Sequence, residues 1–118
     1  MTVKSTAIAL ALLAGALGLT QAPAPAAALT PAQEATYKEM HMAIRATEEC
    51  RFLSFGQADH DRFSAVIQSA VGAPIGPTQL KLVHDASWAG FNLVRHKGCN
   101  HPDVAALLQT FDQNLAAR

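Results

Sequence analysis

Residues 30–50 read TPAQEATYKEMHMAIRATEEC, and this stretch decides the fold class. It opens with Thr30, Pro31 and Gln33, the pattern of a capping box with proline in the first helical turn. At 100° per residue, apolar side chains gather on one face and most charged side chains lie opposite. We therefore predict an amphipathic helix over about 31–54. Its inward face carries Tyr37, Met40, Ala43, Ile44, Thr47 and Cys50.

Three more segments show the helical spacing of apolar residues, over about 59–71, 78–97 and 101–116. Gly72 and Gly98 follow the second and third segments as C-terminal stops. No segment alternates apolar and polar residues over the length of a strand. The sequence therefore predicts an all-α domain of four helices with antiparallel neighbours. The third helix has the widest apolar arc, so we expect it to be central.

Capping residues mark the beginnings of the second and fourth helices. The carboxylate of Asp59 is suited to cap the second helix. Asn100, followed by Pro102 and Asp103, is a start signal for the fourth helix. We expect each of these two helices to begin at its cap.

The first 28 residues have the organisation of a cleavable secretory signal peptide. Lys4 supplies the charged start, and residues 7–19 form an apolar run that is too short for a permanent membrane span. Small residues before the boundary predict cleavage after Ala28. We expect residues 29–118 to form a single helical domain that is periplasmic or secreted and has no membrane span.

The chain contains two cysteines, Cys50 and Cys99. In an oxidising compartment their default state is a disulfide with each other. This bridge would tie the end of the first helix to the corner between the third and fourth helices. In the chain-entropy model, closing a loop of this length stabilises the fold by about 4 kcal/mol. If the protein were not exported, two free thiols would be the alternative.

Composition and motifs argue against several classes of function. Nine Lys and Arg balance nine Asp and Glu, so no field of one sign is available to hold nucleic acid. The sequence has no nucleophile elbow, phosphate-binding glycine loop, Cys-x-x-Cys pair or His-Glu-x-x-His run. We therefore predict a protein that is not an enzyme and carries no cofactor.

Trp88 is the residue that most suggests a binding surface. On the projection of the third helix it lies outside the main apolar arc, with His84 one turn earlier and Arg95 two turns later. An exposed aromatic residue near arginine is typical of binding hot spots. We therefore predict a contact patch of His84, Trp88 and Arg95. The alternative is that the first helix, the second helix or the loop at 72–78 covers Trp88.

The five histidines raise a metal-binding alternative. His96, Cys99 and His101 have a ligand-like spacing, but a thiol held in a disulfide does not ligate. Two imidazoles fall short of the four protein ligands of a closed zinc site. We predict no metal site. The alternative is an exported metal-binding protein that uses His96, His101 and His41.

Two cysteines about fifty residues apart in a small helical exported chain resemble the plan of the small helical periplasmic acid-stress chaperones. The resemblance rests on Cys50, Cys99, the number of helices and the export signal. It implies a holdase that exposes apolar surface when histidines become protonated. Our main expectation is a non-enzymatic module that binds a protein or peptide near Trp88, and the holdase is an alternative.

Overall fold

The computed structural model describes residues 28–117, and in this range the chain is all-α, as predicted. The third predicted helix consists of two elements, a 3₁₀ turn at Pro77–Gln79 and an α-helix that begins at Leu80. The four helices are α1 (Pro31–Arg51), α2 (Gln57–Val71), α3 (Leu80–Lys97) and α4 (Pro102–Asn114).

The predicted signal peptide lies outside the described residues except for Ala28, which is exposed. None of the helices in the range 28–117 combines the length and the apolar composition that crossing a bilayer requires.

The start of α1 is built as predicted. The backbone N–H of Gln33 donates to Thr30 Oγ1 at 3.2 Å, and the N–H of Thr30 donates to Gln33 Oε1 at 3.0 Å. The helix ends at Arg51, earlier than the predicted end near residue 54. The reason is Phe52, whose φ of 55° puts it in the left-handed region and turns the chain out of the helix.

Helices α2 and α4 begin at different caps from those predicted. Gly56 is the N-cap of α2, and Asp59 lies three residues later, where its Oδ2 accepts from the N–H of Gly56 at 3.2 Å. For α4 the cap is His101 and not Asn100, and His101 Nδ1 accepts from the N–H of Asp103 at 3.1 Å. Pro102 explains this shift, because proline is suited to the first helical position and so places the cap at the residue before it.

The central helix is α1, because α2, α3 and α4 all pack against it. This corrects the expectation that the third helix is central. In α3 only Ala86 and Gly90 are fully buried, and its larger apolar side chains are half-buried or exposed. A wide apolar arc therefore does not show that a helix is surrounded, since part of the arc can face solvent.

The core lies between α1, α2 and α4. Phe55, from the loop after α1, stacks on Phe111 of α4 with ring centroids 5.4 Å apart. Phe63 of α2 meets both rings edge-on, at 4.9 Å and 5.6 Å. Such ring pairs add specific geometry to the apolar burial. The buried members of this core are Tyr37, Met40, Ala43, Ile44, Ala46, Phe63, Ile67, Val71, Leu107, Phe111 and Leu115.

The predicted disulfide is present. Cys50 and Cys99 are bonded, with 5.7 Å between their Cα atoms. The bond joins the last turn of α1 to the turn between α3 and α4, as expected. One residue later, both guanidinium nitrogens of the Arg51 fork meet the carboxylate of Asp112 on α4, at 2.7 and 2.8 Å. This end of α1 is therefore held to the turn between α3 and α4 by a covalent bond and to α4 by a bidentate ion pair.

Candidate functional site

Trp88 projects from the middle of α3 with 60% of its surface exposed. This exposure contradicts the alternative that α1, α2 or the loop at 72–78 covers Trp88. Its ring stacks on Phe91, with centroids 5.4 Å apart and planes 21° apart. The two residues are three positions apart, so they are neighbours on one helix face. The result is a pair of aromatic rings at the surface.

Two arginines lie over the Phe91 ring. The guanidinium carbon of Arg45 on α1 is 5.2 Å from its centroid, and that of Arg95 on α3 is 5.7 Å away. Both distances are within the range of cation–π contacts. Arg45 also forms an ion pair with Glu49 at 2.7 Å, whereas Arg95 forms no ion pair within the described residues. The aromatic pair therefore carries one charge-compensated arginine and one uncompensated arginine.

A shallow hollow of about 370 Å³ lies beside Trp88. His84 and Ser87 contribute polar atoms to its lining, and Leu80 and Val83 contribute apolar surface. Leu80 is 68% exposed, so apolar surface continues along α3 towards its N-terminus. We call this surface the α3 face. It consists of Leu80, Val83, His84, Trp88, Phe91 and Arg95 on α3 with Arg45 on α1.

The structure brings the three residues of the predicted patch onto one surface. His84 and Trp88 line the hollow together, and Arg95 joins them through its contact with Phe91. Sequence analysis did not include Phe91 in the patch, although its spacing of three from Trp88 was a usable signal. It also missed Arg45, which no local pattern in α3 indicates, because this side chain comes from α1.

A larger hollow of about 570 Å³ lies between α1, α2, the segment 72–79 and the start of α3, and we call it the cleft. Tyr37 and His41 face it from α1, one helical turn apart, with ring centroids at 4.7 Å. His60 and Ser64 face it from α2. Among these residues, sequence analysis named only His41 as a candidate site residue, and only as a metal ligand; it placed Tyr37 in the core. Helical spacing pairs Tyr37 with His41, but only tertiary packing adds the residues of α2.

Burial changes the protonation of the two aromatic groups that α1 contributes to the cleft. The pKa of His41 is lowered to about 4, mainly because burial disfavours the imidazolium and secondly because His60 is nearby. Burial raises the pKa of the Tyr37 hydroxyl. At neutral pH both side chains are therefore uncharged, and each can take part in hydrogen bonds without a counter-charge.

The histidines of the metal-binding alternative lie in two regions. His101 caps α4 through Nδ1, and His96 is exposed in the last turn of α3, close to the disulfide. His41 is nine residues before Cys50 on α1, which corresponds to about 13 Å along the helix axis. Within residues 28–117 there is no group of three or more His, Cys, Asp or Glu side chains arranged to hold a metal ion.

No family model, curated protein or solved structure matches this chain.

Proposed function

We propose that this protein is an exported, non-enzymatic module that binds a segment of a protein or peptide on the α3 face. The observation that carries the proposal is Trp88, which is 60% exposed although it stacks on Phe91. Trp and Arg dominate binding hot spots, because they combine a large apolar area with directional polar groups. Here both residue types stand next to a hollow that an apolar side chain can enter.

Charge on the α3 face points to the chemistry of the partner. Lys81 is paired with Asp85 at 2.7 Å, and Arg45 is paired with Glu49. Among the described residues of this surface, Arg95 is therefore the cation that remains available to a partner. We propose that the bound segment carries an apolar anchor for the hollow beside Trp88 and an acidic group that faces Arg95.

Export is part of the same proposal. The Cys50–Cys99 bond supports it, because structural disulfides persist in oxidising compartments and are rare in reducing ones. N-terminal sequencing of the protein recovered from the periplasm or the medium tests this part. The expected first residue is Leu29, and recovery of only uncleaved chain from inside the cell would contradict it.

A selection of random peptides on the immobilised protein tests the binding proposal. We expect enriched peptides to combine an aromatic or aliphatic anchor with Asp or Glu. Their affinity should fall about tenfold or more for Trp88→Ala, as is typical when a hot-spot residue is truncated.

Phe52→Ala is the matched control for this selection, because Phe52 is also an exposed aromatic residue and is 94% exposed at the disulfide end of α1. Peptides should bind this variant as tightly as the wild type. Arg95→Gln should weaken the binding of acidic peptides more than the binding of the same peptides with Asn or Gln in place of Asp or Glu. If Phe52→Ala and Trp88→Ala reduced peptide binding equally, the α3 face would be excluded as the binding surface.

An acid-activated holdase is a second candidate, supported by the half-buried imidazole of His41 beside His60. Protonation of His41, whose pKa is lowered to about 4, would place positive charge in a partly buried site and favour an open form. The test is suppression of client aggregation at pH 4 and at pH 7. Equal suppression at the two pH values, or none at either, would exclude this candidate.

A further inference from the structure

The cleft contains polar groups that the fold itself does not use. Tyr37, His41, His60, Ser64 and Gln68 all line it. Within residues 28–117, none of these five side chains forms a hydrogen bond to another side chain or to the backbone. The aromatic members make ring contacts only, such as that between Tyr37 and His41. Their hydrogen-bonding atoms are therefore available to a molecule in the cleft.

The remaining walls of the cleft are apolar. Ile67 comes from α2, Ile75 and Pro77 come from the segment before α3, and Leu80 and Val83 come from α3. The volume of about 570 Å³ lies within the range of small-molecule sites, which are mostly apolar with a few convergent polar groups.

The segment 72–79 is a formed wall of the cleft. Gln79 is 4% exposed, and its Oε1 accepts from the backbone N–H of Gly76 at 2.7 Å. This bond closes the 3₁₀ turn that carries Pro77 and positions Ile75 beside the cleft. Since the wall is built by the chain itself, a ligand would not have to order it on binding.

Charge restricts the class of ligand. The described residues that line the cleft include no Lys, Arg, Asp or Glu. At neutral pH the imidazole of His41, whose pKa burial lowers, and the hydroxyl of Tyr37, whose pKa burial raises, are both uncharged. A charged ligand would lose water on entry without gaining a permanent counter-charge, which is unfavourable.

We infer that the cleft binds a small uncharged molecule that has an apolar body and at least one hydroxyl, carbonyl or non-basic N–H group. The apolar body lies against Ile67, Ile75 and Val83. The polar group exchanges hydrogen bonds with Tyr37 and His41, which supply a hydroxyl and a neutral imidazole one helical turn apart. This site is separate from the aromatic pair of the α3 face, although Leu80 and Val83 border both hollows.

A fluorescence titration at pH 7.5 with N-phenyl-1-naphthylamine tests the inference, because this dye is uncharged, apolar and carries one N–H. We expect saturable binding of one dye per chain. The matched probe is 8-anilino-1-naphthalenesulfonate, which has the same ring frame plus a negative charge. The protein should bind this charged dye at least about tenfold more weakly than the uncharged dye, because the cleft does not compensate the charge. Equal affinities would overturn the assignment to an uncharged ligand.

Two substitutions place the dye in the cleft. Ser64→Phe adds a ring at the rim from α2 and should weaken dye binding about tenfold or more. The control is Ser69→Phe, since Ser69 is an exposed serine of the same helix that does not line the cleft, and it should leave the affinity unchanged. Tyr37→Phe removes only the hydroxyl and should weaken binding about threefold to tenfold if that hydroxyl accepts from the dye. Circular dichroism confirms that each variant is folded.

Trp88→Ala separates this inference from the proposed function. It should weaken peptide binding on the α3 face about tenfold or more and leave the dye affinity unchanged. Non-saturating dye fluorescence, or equal binding by Ser64→Phe and Ser69→Phe, would overturn the cleft site. The cleft site would also be overturned if the selected peptides displaced the dye from the wild type but not from Trp88→Ala. The cleft would then be an extension of the peptide-binding surface.

Discussion

Gly90 of α3 lies directly against the backbone of Met42 on α1. A Cβ atom at position 90 would be 2.9 Å from the carbonyl oxygen of Met42 and 3.1 Å from its Cα. These are backbone atoms of the central helix, so they cannot move aside as a flexible side chain would. The close approach of α1 and α3 therefore depends on the absence of a side chain at residue 90.

We expect Gly90→Ala to destabilise the fold by about 1–3 kcal/mol, the usual cost of overpacking. In open space the same change within a helix would instead stabilise by about 1 kcal/mol, because alanine is the better helix former. The control is Ala89→Gly at an exposed position of the same helix, which measures helix propensity alone and should cost about 1 kcal/mol. Urea unfolding followed by circular dichroism measures both, and a gain in stability for Gly90→Ala would contradict the close approach.

Phe52 combines a left-handed backbone with a solvated ring, since its φ is 55° and it is 94% exposed. A residue with a Cβ pays about 1–2 kcal/mol for this conformation, whereas glycine does not. Phe52→Gly should therefore raise the free energy of unfolding by about 1 kcal/mol, less than the full conformational cost because glycine is freer when unfolded. Phe52→Ala keeps the Cβ and should show little gain. If the two variants had the same thermal midpoint, the conformation of Phe52 would not be costly.

The disulfide should account for a large share of the stability. Cys50 and Cys99 are separated by 49 residues in sequence, and for a loop of this length the chain-entropy model gives about 4 kcal/mol. We expect the double variant Cys50→Ser, Cys99→Ser to lose about this amount in urea unfolding, compared with the oxidised wild type. The wild type under reducing conditions should behave like the variant. A loss of less than about 1 kcal/mol would show that the packing of α1 against α3 and α4 holds this corner without the bond.

His41 makes stability depend on pH. Its folded-state pKa of about 4 lies below the ordinary value of 6.5, so on acidification the unfolded chain binds the proton first. Stability is therefore complete above about pH 6.5 and falls as the pH decreases towards 4, by about 2–3 kcal/mol in total. The groups around His41 are Tyr37, Arg45 and Glu48 on α1 and His60 on α2, and α3 contributes Val83 and Ser87 to its surroundings.

Urea unfolding of His41→Gln between pH 7.5 and pH 4 isolates this contribution. The variant should lose less stability than the wild type over this interval, because it has no imidazole to protonate. Glu48, whose pKa burial raises, works in the opposite direction but is present in both proteins. Parallel curves for the two proteins would rule out His41 as the source.

Local patterns predicted much of the helical structure because their physical causes are local. The capping box at Thr30 and Gln33 is a pair of hydrogen bonds across one helical turn, and it was found where expected. The inward face of α1 followed from helical spacing in the same way. The cap of α4 was predicted one residue too early, because histidine is an uncommon cap and the position of Pro102 was not used to choose between Asn100 and His101.

The surfaces required the tertiary structure. Sequence analysis identified Trp88 as exposed but could not supply Arg45, which reaches Phe91 across the contact between α1 and α3. The cleft was missed for the same reason, since His41 and His60 meet only when α2 folds back against α1. A helical projection shows which residues share a face, but it does not show which of the neighbouring helices covers that face.

By itself, the sequence determined the helical class, the main turns of the chain and the pairing of Cys50 with Cys99. Hydrogen-bonded caps, 3.6-residue periodicity and the presence of two thiols are properties of short segments or of composition. Only the tertiary structure decided that α1 is central and that part of the apolar arc of α3 stays in solvent. The physical reason is that burial depends on how closely helices approach, and here the approach is governed by Gly90 meeting the backbone of Met42.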